Sequence, residues 1–159
     1  MEKIKTIGAG HMAVGGLPEP NHTHPFDVAL AALAMRELVR TMNREREMLH
    51  LTPWHLRIGL HTGPVIAGVV GSRKFAYDIW GDTVNIAARL QAGCRVGTIT
   101  TSEYMANHLA DLFDMSPCGT IIAKNKGELP AYILERIKPG LSSDAEGVKP
   151  NPEFVRAVT

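Results

Sequence analysis

The sequence predicts an α+β fold, with helices packed on a mostly antiparallel sheet. Three observations carry this. Short runs of alternating or apolar residues recur at strand length, as in 2–7, 55–61 and 131–137. One long stretch, 26–49, keeps helical spacing instead. Strands and helices then alternate in the rough order ββα ββα βα ββ, with no internal repeat.

The chain of 159 residues is long enough for one domain with a real core. Hydrophobic residues make up 45% and charged residues 21%, the balance of a soluble globular protein. A formal net charge of +1 argues against a broad nucleic-acid-binding face or a polybasic membrane anchor. Cys94 and Cys118 form no CxxC pattern, so reduced, partly buried thiols and a cytoplasmic setting are expected. No apolar run approaches the ~20 residues that span a bilayer.

In order, 2–7 and 11–14 flank a Gly-Ala-Gly turn and read as a hairpin. A Gly- and Pro-rich loop follows, and Pro25 and Asp27 suit the start of a helix. Phe26, Leu30, Leu33, Ala34, Leu38 and Met42 mark its core face, with Arg36, Glu37, Arg40, Asn43, Arg44 and Glu47 outward. After Pro53, residues 55–61 and 65–70 read as strands around a Thr-Gly-Pro turn. Gly68 and Gly71 suggest a close backbone approach, and no Walker phosphate loop is present.

The run 75–80 favours a strand, Gly81 permits a sharp corner, and Asp82 suits a helix N-cap. That helix is expected to end near Gly93. Asn85 and Arg89, four apart, share one of its faces, with Asp78 just upstream. An acceptor, an amide and a cation at one corner suit a base, a sugar and phosphates. The same spacing equally describes a capped helix with ordinary surface groups. Residues 98–101 form a short strand and Ser102 caps the next helix. Residues 113–124 and 131–137 pair around a basic turn containing Lys124 and Lys126. Residues 139–159, poor in apolar side chains, are expected to be a flexible tail after a domain spanning 1–138.

Three motifs resemble the class III nucleotidyl cyclase catalytic domain, the adenylate and guanylate cyclases. They are Glu2-Lys-Ile-Lys-Thr-Ile-Gly8, Arg57-Ile-Gly-Leu-His-Thr-Gly-Pro-Val-Ile-Ala-Gly68 and Tyr77-Asp-Ile-Trp-Gly-Asp-Thr-Val-Asn-Ile-Ala-Ala-Arg89. The resemblance implies a ferredoxin-like cyclase fold that converts a nucleoside triphosphate to its 3′,5′-cyclic monophosphate and pyrophosphate. It implies two metal ions, Mg²⁺ or Mn²⁺, and a site shared across a homodimer or with a cyclase-domain partner. By the same resemblance Lys5 and Asp78 read the base and Asn85 orients the ribose. Arg89 stabilises charge at the α-phosphate. A lysine of the basic turn, Lys126 in preference to Lys124, contacts the terminal phosphates.

Adenine offers an acceptor at N1 and a donor at its amino group, which match a lysine and an aspartate. Guanine offers the reverse and would leave both side chains mispaired, at about 1–3 kcal/mol each. The expected substrate is therefore ATP, and the expected activity adenylate cyclase in signal transduction. Guanylate cyclases are similar elsewhere but usually carry a glutamate and a small residue at these two positions.

Two departures stand out. The family's N-terminal β-α-α-β part, with its first metal aspartate, has no counterpart here. Ala9, in Gly8-Ala-Gly-His11, stands where the second aspartate is expected. Neither metal ligand is thus expected in this chain, which would be inactive alone. Three explanations stand: a shortened form of an active cyclase, a base-reading half needing a metal-bearing partner, or a degenerate domain that dimerises or binds nucleotide without turnover. Any membrane anchor of the parent protein would lie upstream. His22 and His24 read as a solvated turn rather than a metal pair, His61 as structural, and Trp54 and Trp80 as packing residues.

Overall fold

The computed structural model describes residues 1–72, 75–93, 95–123 and 127–159. The fold is α+β. Its centre is a four-stranded sheet of order β3-β6-β8-β7, built from β3 (Ile58–Leu60), β6 (Ile99–Ser102), β7 (Phe113–Ala123) and β8 (Gly127–Ile137). β3 and β6 are parallel, and the other two pairings are antiparallel. Two antiparallel ribbons stand beside it: β1 (Glu2–Ile7) with β2 (Gly10–Val14), and β4 (Ile66–Val70) with β5 (Ala76–Trp80). Three strands, not two, therefore separate the first two helices.

The helices are α1 (His24–Met48), α2 (Asp82–Gly93), α3 (Glu103–Leu109) and α4 (Pro152–Val158). Leu33, Leu60, Ile99, Leu109, Phe113, Leu134 and Phe154 join α1, α3 and α4 to one face of the sheet. Ile86 and Leu90 of α2 pack with Ala131 in a second cluster. Ala131 and Leu134 lie an odd number of residues apart on β8, so the two clusters occupy opposite faces. α2 lies directly on β3 at Gly59, where an added Cβ would come within 2.2 Å of the Ala87 carbonyl oxygen. The close approach expected at Gly68 and Gly71 thus falls at Gly59. A Cβ on Gly68 would meet only the Trp80 ring, at 3.7 Å, and Gly71 is a positive-φ turn residue.

The first half of α1 buries the face the spacing predicts, with Phe26, Leu30 and Leu33 at the core, but Ala34 and Leu38 are exposed and Arg36 turns inward. Ala29, Ala32, Leu33 and Arg36 are buried, while Leu38 is 60% exposed. Arg36 turns inward because β8 has a bulge: Asp114 pairs with Arg136 and Met115 with Leu134, leaving Glu135 extra. The Arg36 guanidinium donates to the carbonyl oxygens of Leu134 and Glu135. A bulge leaves backbone acceptors outside the ladder, and a buried cation on the facing helix satisfies them.

The segment 139–159 is not a flexible tail. A 3-10 turn (Pro139–Leu141) leads to a loop held by Asp144, whose Oδ1 accepts from the Val148 N–H at 2.8 Å and from the Ser142 hydroxyl at 2.7 Å. Asn151 caps α4, and Phe154, 1% exposed, meets the Phe113 ring edge-on at 5.5 Å. Composition suggested a linker, but one buried aromatic and side-chain-to-backbone bonds suffice to fold the segment onto the core.

Candidate active site

The β1–β2 hairpin turns at Gly8, whose φ is +59°. Its register shifts between Lys3 and Lys5, so Ile4 is extra and the strand is re-aimed next to Lys5. Lys5 reaches the β4–β5 ribbon, where its Nζ donates to Asp78 Oδ2 at 2.6 Å. The lysine side chain is 40% exposed and the aspartate 14%. Asp78 Oδ1 accepts from the Ile79 N–H at 2.8 Å. The Lys5 hydrogen bond, with that of Ile79, outweighs desolvation and holds the Asp78 carboxyl below the usual carboxylate range. Two residues 73 apart in sequence thus form one oriented donor–acceptor pair.

β5 ends at Trp80, and Gly81, at φ +130°, turns the chain into α2. Asp82 is the first residue of the helix rather than its cap, and the Gly81 carbonyl accepts from Val84 and Asn85. Burial of Ile86 and Leu90 leaves Asn85 and Arg89 on the exposed side. Arg89 Nη1 donates to the Ile122 carbonyl oxygen at 3.1 Å. That tether fixes the guanidinium beside the end of β7, at the stem of the β7–β8 hairpin. Lys124 and Lys126 lie outside the described residues.

Lys5 and Asp78 are therefore brought together, and Asn85 and Arg89 share one open helix face. None of the four lines either of two clefts of about 690 and 610 Å³. Asn85 and Arg89 are exposed, while Lys5 and Asp78 are half-buried. The Ile122 carbonyl had no signal in the sequence, because any residue supplies a carbonyl.

A two-metal centre needs clustered carboxylate oxygens. Among the described residues no group of three or more His, Cys, Asp or Glu could hold a metal ion. Ala9 offers no side-chain oxygen at the β1–β2 turn, and His11 there meets the Thr6 hydroxyl at 3.2 Å. These residues do not fit such a centre.

The α+β frame thus carries a Lys5–Asp78 ion pair, a strand–helix corner and an Asn85–Arg89 helix face. The family model for the adenylate and guanylate cyclase catalytic domain matches residues 1–136, and the chain belongs to that family. It is similar to an adenylate cyclase of Mycobacterium tuberculosis (strain ATCC 25618 / H37Rv), at 38% identity over 151 residues, covering 94% of this chain and 33% of the relative. Among solved structures it resembles the catalytic core of a rhodopsin-guanylyl cyclase with converted specificity in complex with ATPαS. There the identity is 32% and the TM-score 0.74, over 84% of this chain and 70% of that one. It also resembles the guanylate cyclase domain from Catenaria anguillulae in complex with GTP, at 30% identity and TM-score 0.77, over 86% and 73%. The chain thus spans about a third of the length of the mycobacterial relative.

Proposed function

We propose that this domain reads ATP for conversion to 3′,5′-cyclic AMP and pyrophosphate, supplying the nucleotide-reading wall of a site completed by a second cyclase domain. The observation that carries this is the Lys5–Asp78 pair. An aspartate held ionised accepts only, and a lysine cation donates only. Together they fit the amino group and N1 of adenine. Guanine would set its O6 against Asp78 and its N1–H against Lys5, leaving about 1–3 kcal/mol of mispairing at each.

Asn85 orients the ribose and Arg89 stabilises charge at the α-phosphate, with Lys126 or Lys124 reaching the terminal phosphates. The open placement of the Asn85–Arg89 face supports a partner surface closing over the nucleotide. Domains of this family are generally two-metal enzymes. On this reading, with Ala9 at the β1–β2 turn, the metal ligands come from outside the described residues, from the rest of a longer cyclase or from a partner domain. On this reading the chain alone is inactive.

The exchange Lys5→Glu with Asp78→Cys tests the assignment by calorimetry with non-hydrolysable ATP and GTP analogues. The preference should move toward GTP by at least about ten-fold, as expected when two buried pairings reverse. An unchanged preference sinks it. A dimer that binds neither analogue would point instead to an interaction module without chemistry.

A further inference from the structure

A second cleft lies behind the same strand–helix corner and takes no part in reading the nucleotide. Its volume is about 610 Å³, within the range of small-molecule sites. It forms where the end of β3, the turn into β4, the β5–α2 corner and the β6–α3 junction meet. Trp80 and Tyr104, 38% and 58% exposed, line it with buried Ile86, and the Tyr104 ring stands 6.4 Å from that of His61 and 4.8 Å from that of His108.

The cleft is built rather than incidental. Ser102 Oγ accepts from the Met105 N–H at 3.2 Å as the α3 cap and lies 2.6 Å from His61 Nδ1. Thr83 Oγ1 donates to the Pro64 carbonyl oxygen at 2.7 Å, pinning the β3–β4 turn to the start of α2. Gly63 leaves room for that bond, since an added Cβ would lie 2.7 Å from Thr83 Oγ1. Leu129 and Pro130 of β8 complete the lining, and hydrogen bonds tie the end of β3 to the β6–α3 junction and the β3–β4 turn to α2.

The charge of the lining selects the ligand. The ionisable residues are His61, Asp82, Glu103 and Tyr104, with no lysine or arginine among the described lining residues. Phosphates and carboxylates are disfavoured there. Aromatic faces beside a carboxylate attract an organic cation, through the ring quadrupole and through direct charge.

We propose that this cleft binds a small organic ammonium ion with an aromatic body, its charge set between Trp80 and Tyr104 and neutralised by Glu103. The site does not depend on the nucleotide reading, because none of Lys5, Asp78, Asn85 or Arg89 lines it.

The test is a titration of the isotope-labelled full chain with tryptamine and, separately, with its uncharged analogue tryptophol, followed by amide chemical shifts. Tryptamine should move the amides of Gly81, Thr83 and Tyr104, and tryptophol should bind about ten-fold more weakly, the scale of a partly desolvated cation–aromatic contact. Glu103→Gln should weaken tryptamine and leave tryptophol unchanged, and Tyr104→Ala should weaken tryptamine. Preserved shift dispersion in each variant shows that it still folds. Equal binding of the two ligands, shifts scattered away from the cleft, or an unchanged affinity in Glu103→Gln overturns the proposal.

Discussion

Ionised Asp78 is an acceptor without a donor, and the Lys5 hydrogen bond extends its ionised range to lower pH. A carboxyl depressed in the folded state adds stability that is present above its ordinary pKa of 3.8 and lost as pH falls through the lowered value. Lys5→Met should therefore raise the Asp78 titration toward the ordinary carboxylate range, read by carboxyl-carbon chemical shift. A titration unmoved by that change would remove Lys5 as the cause. Asp144 offers a second case. Burial opposes its ionisation, but hydrogen bonds from Ser142, Lys149, Val148 and Gly147 outweigh that and bring it to about 2. Its contribution should be complete above 3.8 and vanish as pH falls through about 2. Asp144→Ala should cost about 1–3 kcal/mol at neutral pH, the scale of hydrogen bonds to a charged group. Urea unfolding at pH 7 and at pH 2 checks both the magnitude and its loss in acid. At this scale the sequence was informative about side chains, and the structure pairs Lys5 with Asp78. Lys5, Asp78, Asn85 and Arg89 sit in long motifs. The partners supplied by backbone, the Ile122 carbonyl for Arg89 and the Leu134 and Glu135 carbonyls for Arg36, carry no residue signature.

α2 presents the Asn85–Arg89 face, and its seating on β3 depends on Gly59. Gly59→Ala would drive a methyl into the Ala87 carbonyl, so α2 must move away from the sheet. The expected cost is about 1–3 kcal/mol by urea denaturation, with weakened nucleotide binding because Asn85 and Arg89 move with the helix. A variant of full stability would show that α2 is not seated as described. The C-terminal element makes a comparable commitment. Phe154→Ala should cost about 3–5 kcal/mol, as for a fully buried aromatic, whereas a dispensable tail would tolerate it freely. Helical periodicity located α1 and the core residues Phe26, Leu30 and Leu33, but set Arg36 outward. Arg36 meets the β8 bulge, a feature of strand register that sets where free carbonyls await a cation. Local sequence on α1 holds no record of it.

At the scale of the whole molecule, two ribbons leave large apolar side chains in solvent. Ile7, Ile66, Val69 and Phe75 are 63%, 71%, 64% and 75% exposed. Open apolar ribbons of this kind suit association with another protein surface, which in the proposed function is a second cyclase domain. Ile66→Asp with Val69→Asp should shift light scattering toward monomer with little change in thermal midpoint, because neither side chain is buried in the single chain. Loss of stability without a change in mass would instead give these residues an internal role. In the proposed function this chain reads the base while another domain holds the metals. Its most direct test mixes the chain with a cyclase domain bearing both metal carboxylates but lacking a base-reading pair, and measures cyclic nucleotides formed from ATP and GTP. The mixture should make cyclic AMP in preference to cyclic GMP, the chain alone should make neither, and Lys5→Glu with Asp78→Cys should shift the ratio toward cyclic GMP. Equal activity from the chain alone, or a product ratio indifferent to that exchange, would contradict the account.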